Sequence, residues 1–224
     1  MCNALIAHAR AALLLAAVLV VMLGAGALRL SLQTDESVFF DDANPNYIAE
    51  QALNADFGST ANVMFVLAPK SGDVFTPDAV ALLHAVTDVG WQVPFAKRVD
   101  SLSNYQHTVA ANDELRVSDL IPQDRALDSD ALAQIRVIAL GEPELIHRWV
   151  SPSGHVAAVS VMLNMPENDE VAVTELAGHA RALRRNFAAQ YPDIDLYLLG
   201  SVIGDQTFDE LSISDFFRFI PIVV

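Results

Sequence analysis

One cysteine, Cys2, stands among 224 residues, so no intrachain disulfide can form and the fold must rest on its core. Basic residues are scarce as well, 13 Lys and Arg against 28 Asp and Glu, for a net charge of −15. A surface of that sign repels a phosphate backbone, which excludes nucleic acid as a partner. No block of like charge is long enough to form a disordered acidic tail, so the excess reads as a solvated surface. The glycines are scattered at turns, and neither a P-loop nor a zinc-ligand spacing is present. The histidines His8, His84, His107, His147, His155 and His179 lie too far apart to form a local ligand motif. Gly200-Ser201 lacks the rest of a G-x-S-x-G elbow. The expectation is therefore a protein without a metal, a cofactor or enzymatic chemistry.

What is present begins with the uncharged run Ala11 to Leu28, bracketed by Arg10 and Arg29. As a helix its roughly 18 residues reach about 27 Å, close to the ~30 Å hydrocarbon core of a bilayer. A cleavable signal peptide is the alternative, because Arg10, the run to Leu23 and Ala25-Gly26-Ala27 supply a basic start, an apolar core and a small-residue site. His8 and Arg10 precede the run while Asp35, Glu36, Asp41 and Asp42 follow it, so both readings export the remainder of the chain. A second apolar run, Phe216 to Val224, is interrupted by Arg218, which near a membrane face could snorkel to the head groups.

Between the runs, start and stop signals mark the elements. Asn44-Pro45 opens a helix with Ile48, Ala52, Leu53 and Phe57 on one face and Gly58 as its stop. Asn62 to Ala68 reads as a buried strand, and Thr76-Pro77-Asp78 starts a helix reaching about Trp91. A second strand is expected at Arg98 to Leu102. The pattern weakens from Ser103 to Asp128, and a helix follows from Asp128 toward His147 with a break at Gly141 to Pro143. His155 to Asn164 alternates as a strand, with Ala157, Val159, Val161 and Leu163 on one face and Ser160 and Asn164 on the other. Asn168 is the expected cap of a long helix striped by Val173, Leu176, Ala180, Leu183 and Phe187, with Arg181, Arg184 and Arg185 off the stripe. A last strand covers Asp193 to Gly200, and Asp205 to Ser214 is helical. Asp128 to Asp130 and Asp169-Glu170 sit where acidic side chains favour a helix start.

Two strand-helix-strand units in series imply an α+β sandwich of the ferredoxin-like kind, a four-stranded sheet with helices on one face. Roughly fifty residues join the second strand to the third, far more than an ordinary loop, and insertions of that size commonly serve as lids or contact arms.

Taken together, the apolar amino-terminal run, Asp35-Glu36, Phe39-Phe40, a short helix ending at Phe57-Gly58, the double strand-helix-strand domain, Ser101-Leu102-Ser103-Asn104-Tyr105, and Gly200-Ser201-Val202 leading toward a second apolar run carry a likeness over essentially the whole chain. The sequence resembles the first porter domain of RND-superfamily exporters of the MMPL (hydrophobe/amphiphile efflux) type. The resemblance implies part of a proton-driven exporter of lipidic or amphiphilic molecules in a bacterial inner membrane. Residues 1–30 would form the cytoplasmic start and first transmembrane helix, 31–214 a periplasmic porter domain, and 215–224 the start of a second transmembrane helix. Its partners would be the remainder of the transporter with a second porter domain, membrane lipid, an apolar or amphiphilic cargo and a possible second copy of the chain. It also implies a reading frame that continues past Val224 as further apolar helices. The proton-carrying carboxylates of such exporters lie in a later membrane helix, so none transfers to this sequence.

Candidate substrate-path or docking residues are Asn104, Tyr105 and Gln106, with His107 beside them at the opening of the long insertion, and the aromatics Phe39, Phe40 and Trp149. Trp91 raises the same question. Each has a plainer reading, as a polar turn at a strand end or as a core aromatic. The rival to the exporter is a secreted periplasmic binding or interaction module with a cleavable signal peptide.

Overall fold

A computed structural model describes residues 9–27, 41, 43–58, 60–111, 114–166 and 169–223. The chain divides into two compact units, Met1–Phe40 and Asp41–Val224. The first contains α1 (Ala9–Ala27), 19 residues that rise about 28 Å. Within it, the continuously described side chains, Leu13 to Met22, span about 15 Å and are exposed. Among the described residues no helix is long and apolar enough to cross a membrane.

The second unit opens with α2 (Pro45–Phe57), started by Asn44, whose Oδ1 accepts from the Asn46 N–H at 3.0 Å, and stopped by Gly58. Its expected apolar face is open to solvent, since Ile48 and Leu53 are each 52% exposed. There follow β1 (Asn62–Pro69), α3 (Pro77–Gly90), β2 (Ala96–Asp100), β3 (Gln106–Ala111), β4 (Glu114–Asp119), α4 (Ser129–Gly141), β5 (Ala157–Leu163), α5 (Glu170–Gln190), β6 (Ile194–Leu199) and α6 (Ser201–Val223). The architecture is α+β.

Four strands form one sheet in the order β2-β5-β1-β6, and every neighbouring pair is antiparallel. β1 and β2 therefore run parallel with β5 between them, and α3 crosses from one to the other. α5 makes the same kind of crossing from β5 to β6, which flank β1.

Burial follows the pleat. On β1, Val63, Phe65 and Leu67 are buried and lie opposite Val161, Val159 and Ala157 of β5. α3 packs against β1, β2 and β5, and α5 against β6 and α6. Leu82, Leu83 and Val86 of α3 and Leu176, Ala177 and Ala180 of α5 complete this core. A methyl group on Gly90 would stand 3.1 Å from Val99 and 3.2 Å from Val161, so a bare backbone there lets α3 lie close on the sheet.

The differences from the pattern reading have local causes. The weak stretch after Ser103 holds the hairpin β3–β4, whose strands, among the described residues, pair only with each other, from Gln106↔Asp119 to Ala111↔Glu114. Val109, Leu115 and Val117 remain exposed on it, so alternation driven by burial had nothing to act on. β2 begins two residues before the expected Arg98, because Ala96 already pairs with Leu163 across an irregular register. α5 is capped by Asp169, whose Oδ1 accepts from the Ala172 N–H at 2.9 Å, while Asn168 lies outside the described residues. Ser160, expected on the polar face of β5, is only 4% exposed. α6 starts at Ser201 rather than Asp205 and continues unbroken to Val223. The expected caps Thr76 and Asp128 are in place, accepting from the Ala79 and Ala131 N–H groups.

Candidate functional site

Trp149 sits in the loop between α4 and β5, and this loop builds the candidate site. The chain leaves α4 through tight turns in which the N–H groups of Trp149 and Val150 both point to the Leu145 carbonyl, at 2.8 and 3.1 Å. Leu145 and Val150 are buried, fixing both ends of the turn in the core. His147, between them, takes a left-handed conformation with φ 65°, and its N–H donates to the Val150 carbonyl at 2.9 Å. For a non-glycine residue that conformation costs on the order of 1 kcal/mol or more and persists only where surrounding contacts hold it.

The return to the sheet is held as firmly. The Ala158 N–H donates to the Trp149 carbonyl at 2.9 Å, and Ser151 Oγ accepts from the N–H groups of both His155 and Val156. Arg136 of α4 reaches the Ser153 carbonyl with one guanidinium nitrogen and Asp73 with the other, at 3.0 and 2.7 Å. The loop is thereby held in one geometry before any ligand arrives.

Between this loop and the sheet lies a cleft of about 270 Å³. Val66 and Ala158 form its floor, with Val156, Pro152, His147 and the Trp149 ring around it. Arg148 stands at the edge with its guanidinium carbon 5.3 Å from the centre of the Trp149 ring, a cation–π arrangement that presents charge beside an apolar hollow. Among the described residues no carboxylate lies within ion-pair distance of Arg148 or His147. Such a site can receive an apolar group and place an anion on its rim.

The other sequence candidates fall elsewhere. Asn104 is consumed by a turn: its Oδ1 accepts from the Ser101 N–H at 2.8 Å and its Nδ2 donates to the Val99 carbonyl at 2.7 Å. That turn covers a buried knot in which the hydroxyls of Thr87, Ser101 and Ser103 lie within 2.7 to 3.0 Å of one another. Tyr105 packs partly buried against the core, and its phenol is pushed above its usual range, first by burial and then by Glu142 and Glu144. Gln106 is exposed at the base of the hairpin and donates to Asp119. Phe39 and Phe40 lie outside the described residues. Of the described candidates, only Trp149 lines the cleft.

His147, Arg148 and Val66 were not singled out by pattern. A cation, an aromatic ring and a histidine in immediate succession after a helix break were the available signal. Among the described residues no group of three His, Cys, Asp or Glu side chains is placed to hold a metal ion. The chain matches no protein-family model, and no curated protein matches it.

Proposed function

We propose that this chain is part of an inner-membrane, proton-driven exporter of lipidic or amphiphilic molecules, of the RND-superfamily MMPL type, and that its sheet domain is a porter domain forming part of the substrate path. The finer fold reading goes with it: the strand order β2-β5-β1-β6, with a helical crossover in each half, fits a ferredoxin-like double βαβ unit. The observation that carries the proposal is α6, which leaves the end of β6 and runs without a break through Phe216 toward Val223. A domain that hands its last strand to a helix of growing apolar character suits an excursion from a membrane, and α1 supplies an apolar helix on the amino-terminal side. Under this reading the main domain lies in the periplasm and binds its cargo without transforming it.

The Trp149 cleft would also suit a secreted periplasmic binding module, which is the second reading. One experiment separates the two. The full chain is produced in a bacterium, the membrane and periplasmic fractions are divided, and the intact mass is measured. Retention in the membrane after alkaline extraction, with residues 1–27 still attached and the domain open to protease from the periplasmic side, is the expected result. A soluble periplasmic product lacking residues 1–27 would overturn the exporter reading in favour of the secreted module.

A further inference from the structure

The cleft beside Trp149 has a direction. Val66 on its floor lies directly opposite Tyr197 of β6, and two residues along the same face Met64 lies opposite Leu199. Residues opposite one another in an antiparallel pair project to the same side of the sheet. Tyr197 and Leu199 are each 53% exposed, so an apolar strip leads out of the cleft across the face opposite the α3 and α5 core. At the other end stand Arg148 and His147. The cleft is therefore polarised, with positive charge at one end and a greasy track at the other, in a chain whose net charge is −15.

We infer that this cleft is a binding site for a single-chain amphiphile with an anionic head group. The head meets the Arg148 guanidinium and the His147 ring, and the chain lies against Trp149 and Val66 and follows the strip toward Tyr197 and Leu199. Three observations converge on this ligand. Arg148 has no carboxylate partner among the described residues, so an incoming anion displaces none. The volume of about 270 Å³ falls just below the roughly 300 Å³ at which drug-sized ligand pockets begin, enough for a head and the first part of one chain. The backbone around His147 is held in a strained conformation by hydrogen bonds already made, which lowers the ordering cost of binding. The inference rests on the exporter reading only in treating the ligand as cargo; the site itself does not depend on it.

The test uses the full chain in nanodiscs of zwitterionic lipid. The sequence holds two tryptophans, and Trp91→Phe leaves Trp149 as the only one. Decanoate carrying bromine on its chain is titrated below its micelle concentration, and quenching of Trp149 is followed, since bromine quenches only at contact. The expected result is saturable quenching that weakens about tenfold or more in Arg148→Ala, the loss of one charge-assisted contact, and largely returns in Arg148→Lys. Brominated decanol and a brominated decyl ammonium salt should bind at least about tenfold more weakly than decanoate. Equal, non-saturating quenching by all three heads, or an affinity unchanged in Arg148→Ala, would overturn the inference. Competition by an anionic two-chain lipid placed in the disc would overturn the single-chain assignment. Saturable, Arg148-dependent binding by a chain found released from the membrane would sustain the site while the exporter reading fails.

Discussion

Asn62 and Ser201 hold each other: the Ser201 N–H donates to Asn62 Oδ1 at 3.0 Å, and the Asn62 N–H donates to Ser201 Oγ at 3.1 Å. Residues 139 apart in sequence thus join the start of β1 to the start of α6. Gly200 makes the approach possible, with φ 109° and no side chain; a methyl group there would lie 2.5 Å from the Asn62 carbonyl oxygen. Gly200→Ala should destabilise the domain by about 3 kcal/mol, combining a strained backbone with a clash. Ser201→Ala, which removes one hydrogen bond, should cost about 1 kcal/mol. Urea unfolding midpoints compared at fixed slope measure both, and equal effects from the two changes would contradict the steric account.

A second fastening lies further along α6. Arg181 of α5 makes two bonds to Glu210, at 2.6 and 3.0 Å, Gln206 donates to the same carboxylate, and Thr174 donates to Gln206. The hydrogen bonds from Arg181 and then from Gln206 hold the Glu210 carboxyl below its ordinary pKa, against a smaller opposing effect of burial. A depressed carboxyl pKa stabilises the folded state above the unfolded pKa, about 4.3, and that contribution is lost as pH falls through the lower folded value. Because the pair is partly exposed, its coupling in a double-mutant cycle with Arg181→Gln and Glu210→Gln should be below about 1 kcal/mol at neutral pH. It should vanish in strong acid. A coupling that survives there would show that packing, rather than charge, joins the helices.

Thr87, Ser101 and Ser103 are 5%, 2% and 4% exposed, and Thr87 also donates to the Leu83 carbonyl at 2.7 Å. Thr87→Val keeps the shape but removes a partner from two buried hydroxyls, so a loss of about 1–3 kcal/mol is expected. Thr87→Ser, which keeps the hydroxyl, should lose less. Thermal unfolding of the two variants checks the order, and a larger loss in the serine variant would assign the effect to the methyl group.

Among the described residues, His84 Nε2 is buried without a hydrogen-bond partner. Burial lowers the pKa of the ring, opposed by the nearby charges of Asp88 and Asp119. The unfolded chain therefore takes up a proton more readily, so stability is full above about pH 6.5 and declines as pH falls from there toward the lower folded value. Urea midpoints measured across this range should fall less steeply in His84→Gln than in the parent chain. Parallel curves would remove His84 as the titrating group.

Legibility in the sequence tracked burial and capping. Asn44-Pro45, Thr76-Pro77 and Asp128 were readable because their side chains act on N–H groups two or three residues away. β1 was readable as a short continuous apolar run, of which Val63, Phe65 and Leu67 form the buried face, and β5 by its alternation. The hairpin escaped because none of its described side chains is fully buried, so Leu115, at 74% exposure, carries no periodic signal. Of the cleft, Trp149 was legible as an aromatic in search of a role. Its companions were not, since Val66 comes from a strand more than eighty positions away and only the fold brings it there.

The unbroken course of α6 has a mechanical consequence. Its 23 residues make a rod of about 34 Å, fastened to the strands at Ser201 and to α5 at Gln206 and Glu210, with the remaining half free of those fastenings. A tilt of about 5° about the last fastening, at Glu210, would carry Val223, about 20 Å further along, through roughly 2 Å. The unfastened half of α6 is thus where a small change of angle at the domain becomes largest.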